Sequence, residues 1–151
     1  MDKEIKMVSY ILLISMVLGI VYNGYSYFKN EHHAKIMLHK MLISGFLLVA
    51  ILVIFFKFST LEKINLIVGI VGWLFFVSGF FAEGFSKGGI IVTPNSLFIS
   101  IFVRWNDIKN LKFTKLKNGN HLVNLKISSW DIRQVYGEEE SKILKNFSKN
   151  K

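Results

Sequence analysis

Three long apolar runs without a charged side chain constrain this chain more than any other feature. They occupy residues 7–28, 41–56 and 64–82, and none contains Asp, Glu, Lys or Arg. A bilayer core of about 30 Å needs roughly 20 helical residues to cross. The middle run has only 16 residues. The lysines that flank it can extend their ammonium groups to water, so we predict a span over residues 37–58.

The composition is typical of a membrane protein, because 52% of the 151 residues are hydrophobic and many of these hydrophobic residues lie together in long runs. The first run ends in a cluster of aromatic residues, which is typical of a membrane interface rather than of a signal-peptide cleavage site. The cluster contains Tyr22, Tyr25, Tyr27 and Phe28. We therefore predict three retained transmembrane helices, at about 7–28, 37–58 and 64–82.

The orientation follows from lysines and arginines near the spans, which favour the cytoplasmic side. Three spans place the N-terminus and the loop between the second and third spans together, with Lys3, Lys6, Lys57 and Lys63. The first loop and the tail share the other side, with Lys29, Lys35, Lys40, Lys87 and Arg104. This bias predicts a cell-membrane protein with its N-terminus outside and its C-terminal domain in the cytoplasm.

The composition changes after the third run. Residues 83–151 carry 12 lysines and arginines against six acidic residues. The glycines within 83–89 predict a linker, and 90–151 predicts a small α+β domain: an antiparallel sheet of four or five strands with a C-terminal helix at 138–150. We expect strands at 89–93, at 97–104 with both faces buried, in a hairpin at 110–116 and 122–128, and around 130–135. Pro94 and Asn95 predict a turn.

The hairpin register can be predicted from its side-chain pattern. A three-residue loop at 118–120 pairs Leu111 with Ile127 and Phe113 with Leu125, which keeps one face apolar. The same register places Lys112 opposite Lys126. Solvent can screen these like charges on an open face; alternatively, the face meets anionic lipid or an acidic partner. The residues predicted to contact lipid or a partner are Lys112, Lys126, Lys115, Lys117 and Trp105.

Small and polar residues recur along two of the spans, where they allow helices to approach closely. The predicted packing residues are Ser15, Gly19 and Asn23 in the first span, and Gly69, Gly72 and Gly79 in the third. A transport path normally needs ionisable groups inside the membrane. The three runs contain none, which argues against a transporter.

Sequence motifs for catalysis are missing from the chain, which has no GxSxG, HExxH or dinucleotide fingerprint. His32, His33 and His39 lie in one loop, but adjacent histidines point apart and His121 is remote in sequence, so we expect no metal site. Cysteine is absent. We also expect no cofactor, and no nucleic-acid partner, because the tail's aromatic residues alternate as core positions do.

One part of the chain resembles a known family. The residues that carry the resemblance are Gly89-Ile90-Ile91, the apolar stretch 97–103, Arg104-Trp105-Asn106-Asp107-Ile108 and Leu111. Over about residues 64–148 this pattern resembles small bacterial multi-pass membrane proteins with a pleckstrin-homology-like (PH-like) C-terminal domain. The resemblance implies membrane helices followed by a barrel-like sheet domain, and it carries over no ligand-binding residue. Some members of this broad group resemble self-immunity proteins of bacteriocin producers.

These observations predict a non-enzymatic multi-pass membrane protein. Its basic PH-like domain would contact a protein partner or anionic inner-leaflet lipid, and it could also form a homo-oligomer. One alternative is an accessory protein that protects the membrane against a bacteriocin-type peptide. A second alternative, a membrane enzyme or transporter, has no motif or intramembrane charge to support it.

Overall fold

The computed structural model describes residues 3–57, 63–94 and 99–149. Three helices come first: α1 (Lys3–Lys29), α2 (Leu38–Lys57) and α3 (Lys63–Phe81). All three are long and apolar enough to cross a bilayer, which agrees with the charge-free runs. Residue 58 of the predicted second span lies outside the described residues.

Helix α3 packs against both α1 and α2, and glycines lie at these contacts. A Cβ atom at Gly19 of α1 would collide with the ring of Phe75 in α3, and one at Gly72 would lie 3.5 Å from the Met16 side chain. On the other side of α3, a Cβ at Gly69 would lie 2.9 Å from Ile51 of α2. The absence of a side chain at these positions lets the helix backbones approach closely.

Seven strands and a final helix form the rest of the described structure. The strands are β1 (His32–His33), β2 (Gly84–Ser86), β3 (Gly89–Val92), β4 (Ile101–Arg104), β5 (Ile108–Lys115), β6 (His121–Ile127) and β7 (Trp130–Tyr136), and the helix is α4 (Glu138–Lys149). They make two antiparallel sheets, β1-β2-β3-β4 and β5-β6-β7. The predicted class, a helical membrane region followed by a small α+β domain, is confirmed, with seven strands rather than four or five.

The predicted linker 83–89 is wrong in its centre, because β2 pairs there with β1 on one side and with β3 on the other. Strand β1 comes from the loop between α1 and α2, so the sheet domain is not confined to residues 90–151. This pairing also shows that the first loop and the tail lie on the same side of the three helices. Gly84 permits the pairing: a Cβ atom there would collide with the carbonyl oxygen of His32.

The two sheets are joined at both ends. A 3₁₀ turn (Trp105–Asp107) carries the chain from β4 into β5. At the other end, Lys35, two residues after β1, pairs with Val135 of β7, and its backbone N–H donates to the Val135 carbonyl at 2.6 Å. The strands therefore enclose one shared core, which includes Phe85, Ile90, Val103, Val123, Leu125, Ile132, Tyr136 and Leu144 of α4.

The predicted hairpin register is wrong by two residues. Strand β5 pairs Leu111 with Leu125 and Phe113 with Val123. A three-residue loop is present, but it lies at 117–119, closed by the Leu116 N–H donating to the Asn120 carbonyl at 2.8 Å. Gly119 occupies the left-handed region with φ 80°, which favours glycine there. A shift of two leaves each side chain on its predicted face, so pattern alone cannot distinguish the two registers.

Strand β4 also differs from its prediction. It begins at Ile101, and residues 97–98 of the predicted strand, like Asn95 of the predicted turn, lie outside the described residues. Its two faces are not both buried: Val103 is buried, whereas Phe102 is 36% exposed and Arg104 is exposed. The predicted strand around 130–135 is β7, and the predicted closing helix is α4, with residue 150 outside the described part.

Candidate membrane-surface site

The sheet domain is attached to the helices by buried polar contacts, and Asn23 of α1 makes the most extensive of them. Its side chain is fully buried. The Nδ2 atom donates to Ser78 Oγ of α3 at 2.9 Å, and the Oδ1 atom accepts from both the backbone N–H and the hydroxyl of Ser100 at 3.0 Å. One amide therefore joins two membrane helices to the segment that enters β4.

A buried ion pair joins α2 to the chain that leaves α3. The Lys40 ammonium lies 2.7 Å and 2.8 Å from the two carboxylate oxygens of Glu83. Lys40 is only 9% exposed and Glu83 only 3%. Close by, the Thr93 hydroxyl donates to the Gly79 carbonyl at 2.7 Å. These contacts fix the domain against the ends of α2 and α3.

Burial raises the pKa of the Glu83 carboxyl above its ordinary value, because desolvation outweighs the opposing effects of Lys40 and of a hydrogen bond from the Thr93 backbone. The Tyr136 hydroxyl, which donates to Gln134 Oε1 at 2.6 Å, is also fully buried. Burial, and then the negative charge of Glu83, raise its pKa well above the ordinary value. The charge of Glu83 therefore acts on the Tyr136 hydroxyl in the core between the two sheets.

Two of the predicted contact lysines lie near the first loop, which leads directly into α2. Lys35 of that loop donates from Nζ to Asn120 Oδ1 at 2.9 Å. Lys117 is in the adjoining hairpin loop and Lys115 ends β5, and both are exposed at this end of the domain. Three lysines are thus present close to the point where the chain enters a membrane helix.

The predicted pair of facing lysines does not exist, since Lys112 lies opposite Asn124 and Lys126 lies opposite Asn110. On its other side Lys126 faces Asp131 of β7. A shallow depression on this outer face is lined by both lysines, Asp131 and Arg133. The face therefore carries both signs of charge, because β7 places the Asp131 carboxylate opposite Lys126.

Trp105, another predicted contact residue, is buried with 8% exposure. Its ring contacts Phe85 and Phe147 with centroid distances of 6.4 Å and 6.2 Å. Its Nε1 atom donates to the Lys87 carbonyl at 2.9 Å. Trp105 therefore acts in the core, and it holds the turn between β2 and β3 in position.

The remaining packing residues lie in different surroundings. Gly79 is buried beside Thr93, as described above. Ser15 is on the exposed side of α1 and donates to the Ile11 carbonyl of its own helix at 2.9 Å. Only part of the predicted small-residue stripe on α1 therefore faces α3.

The loop histidines stack on aromatic rings. His32 lies on Phe85 and His33 on Tyr27, with centroid distances of 4.7 Å and 4.2 Å. Burial, and then the neighbouring His32, lower the pKa of His33. Within residues 3–57, 63–94 and 99–149, no three His, Cys, Asp or Glu side chains are grouped as metal ligands.

Sequence reasoning missed the Lys40–Glu83 pair, although a signal for it was present. Lys40 lies near the start of the second predicted span and Glu83 follows the third. Topology alone therefore places these opposite charges on the same side of the membrane. Asn23 was expected to contribute to helix packing, but no local sequence pattern indicated its hydrogen bonds with Ser100.

No protein-family model, curated protein or solved structure matches this chain. Its function must therefore be inferred from its own residues and their geometry.

Proposed function

We propose that this chain is a non-enzymatic membrane protein whose C-terminal domain contacts anionic lipid headgroups of the inner leaflet. The observation that carries the proposal is the attachment of the domain to the helix ends through Asn23, Lys40–Glu83 and strand β1. A domain held in this way lies at the bilayer surface. The seven strands and closing helix also support the resemblance to PH-like membrane proteins.

Charge near the helix ends favours anionic lipid as the surface contacted. Lys29 ends α1 and Lys35 precedes α2. Lys117 lies in the hairpin loop that ends at Asn120, the residue that accepts from Lys35. Each basic side chain near an anionic leaflet contributes about 1 kcal/mol of attraction. The net positive charge of the whole chain, +9, acts in the same direction.

Lipid retention tests the proposal. We expect the full chain, purified in an uncharged detergent, to retain phosphatidylglycerol in preference to phosphatidylcholine with the same acyl chains, as counted by native mass spectrometry. The preference should decrease as salt rises, because salt screens the attraction. The double variant Lys35→Gln/Lys117→Gln should weaken it several-fold. Equal retention of the two lipids by the unaltered protein would contradict the proposal. The full chain is required because β1 lies outside the tail.

Orientation provides a separate prediction. The lysine and arginine bias favours a cytoplasmic domain, so we expect a reporter enzyme fused after residue 151 to be active only on that side. A matched fusion in the loop between α2 and α3 should give the opposite result. Activity of the C-terminal fusion outside the cell would place the domain against the outer leaflet instead.

A further inference from the structure

A cavity of about 500 Å³ lies beside the turn between β2 and β3. Its lining combines two cations and one amide with three aromatic rings: Lys87, Arg104, Asn106, Phe102, Trp105 and Phe147. Trp105 and Phe147 belong to the core or pack against it, whereas Lys87 and Arg104 are exposed. The cavity therefore has an apolar inner wall and a positively charged edge.

The elements around this cavity are firmly positioned. The Trp105 Nε1 atom donates to the Lys87 carbonyl at 2.9 Å, which fixes the turn that carries the Lys87 side chain. Gly89 pairs with Arg104 across β3 and β4. A Cβ atom at Gly89 would lie 2.8 Å from the Phe102 ring, so the ring rests closely over the glycine.

A third cation approaches from the membrane helices. The Lys29 ammonium lies 4.8 Å from the centroid of the Phe102 ring. Lys29 is the last residue of α1 and of its candidate membrane span. This contact places one wall of the cavity at the level where α1 leaves the bilayer, and a lipid headgroup at that depth could reach it.

Among the described residues, these cations have no carboxylate partner. In the part of the chain that the structure describes, the ion pairs present are Lys40–Glu83 and Lys142–Glu138, and none involves Lys29, Lys87 or Arg104. The lining of the cavity likewise contains no acidic residue. Lys87 and Arg104 share the cavity lining and Lys29 lies against its Phe102 ring. Like charges placed in this way repel one another, and a bound anion would relieve that repulsion. An arginine guanidinium suits phosphate, because it can donate two parallel hydrogen bonds.

We propose that this cavity binds a phosphate group, with Arg104 and Lys87 as its direct contacts and Lys29 as the cation nearest the bilayer. This rests on the proposed function: the phosphate is that of an anionic lipid headgroup, and the rings of Trp105 and Phe147 form the apolar inner wall behind it. The outer face with Lys112 and Arg133 is a poorer site, because Asp131 lies within it.

The test compares two double variants with equal loss of charge. Lys87→Gln/Arg104→Gln removes the direct contacts, and Lys112→Gln/Arg133→Gln removes one lysine and one arginine from the outer face. All four side chains are exposed, so both variants should fold, and melting curves check this. We expect the first variant to bind phosphatidylglycerol at least about tenfold more weakly in native mass spectrometry, and the second to bind it nearly as the unaltered protein does. Lys29→Gln should give a smaller loss.

Inorganic phosphate distinguishes the source of the ligand. At matched ionic strength, sodium phosphate should displace more phosphatidylglycerol from the unaltered protein than sodium chloride does, because chloride only screens the attraction whereas phosphate also competes for the cavity. The two salts should act equally on Lys87→Gln/Arg104→Gln. Binding of inorganic phosphate without phosphatidylglycerol would overturn the lipid as source. Equal losses in the two double variants, with the overall preference for anionic lipid intact, would overturn the cavity while leaving the proposed function in place.

Discussion

Replacing Lys40 with methionine is expected to destabilise the folded protein by about 3–5 kcal/mol at neutral pH, because it leaves the buried Glu83 carboxylate without its partner. The Lys40 ammonium contacts both carboxylate oxygens, at 2.7 Å and 2.8 Å. Neither side chain can turn readily to water, since each is at least nine-tenths buried. For a chain of this length we expect the melting temperature to fall by roughly 10 °C, as measured by circular dichroism in detergent.

The loss should depend on pH with a definite sign. Burial already raises the pKa of Glu83 above 4.5, so the folded state binds this proton more tightly than the unfolded state does. The tighter binding of this proton in the folded state adds to the free energy of unfolding. That contribution is present in full below pH 4.5 and is lost as pH rises through the folded pKa. Without Lys40 the folded pKa rises further. Lys40→Met should therefore be less damaging at pH 5 than at pH 8, with a slope of up to about 1.4 kcal/mol per pH unit.

Two further variants separate the ion pair from other causes. The double variant Lys40→Met/Glu83→Gln removes both charges and should recover most of the loss, because replacing a whole buried pair costs far less than breaking it. Lys142→Met breaks the exposed pair with Glu138, whose partners are 69% and 56% exposed, and should leave the melting temperature near its original value. Equal effects of Lys40→Met and Lys142→Met would show that the buried pair does not stabilise the junction.

Replacing Asn23 with leucine is expected to destabilise the protein by about 2–4 kcal/mol, because it leaves several buried polar groups without partners. The Ser100 N–H and hydroxyl both donate to Asn23 Oδ1 at 3.0 Å. Leucine has a similar size and offers neither a donor nor an acceptor. Since Ser100 is 1% exposed, water cannot replace the lost acceptor without opening the junction.

Hydrogen exchange should locate this effect. In Asn23→Leu the Ser100 amide is expected to exchange faster, while amides of α4, which is far along the chain, change little. Ser15→Leu is the matched control: Ser15 is exposed and bonds within its own helix, so this variant should retain nearly the original stability. Asn23 would not be the link between α1 and β4 if Asn23→Leu had the same melting temperature as Ser15→Leu and its Ser100 amide remained protected from exchange.

Local patterns predicted some parts of this molecule well. A helix or strand face is encoded by residues near one another in sequence. The three spans, α4 and the apolar faces of β5 and β6 could therefore be predicted from the sequence. The same reasoning placed the hairpin register two residues away, because either register keeps Leu111 and Phe113 on the face that packs against the core. The error then produced a Lys112–Lys126 pair that does not exist.

The candidate site was less predictable, because its residues come together from distant parts of the chain. Lys29 reaches Phe102, and Lys87 shares the cavity with Arg104 and Phe147. Each of these residues has an ordinary local interpretation as a span end, a turn or a strand. Phe102 was predicted to be buried, and its exposure became evident only when β4 was seen to be covered on one face alone.

The sequence by itself determined that three helices can cross a bilayer and that a basic sheet domain follows, since both depend on charge and apolar periodicity within short segments. The tertiary structure decided that the first loop supplies β1, that Lys40 meets Glu83 across 43 positions, and that Asn23 meets Ser100 across 77. The physical reason is that a buried polar group must find a partner, and only the folded chain shows which partner lies within reach.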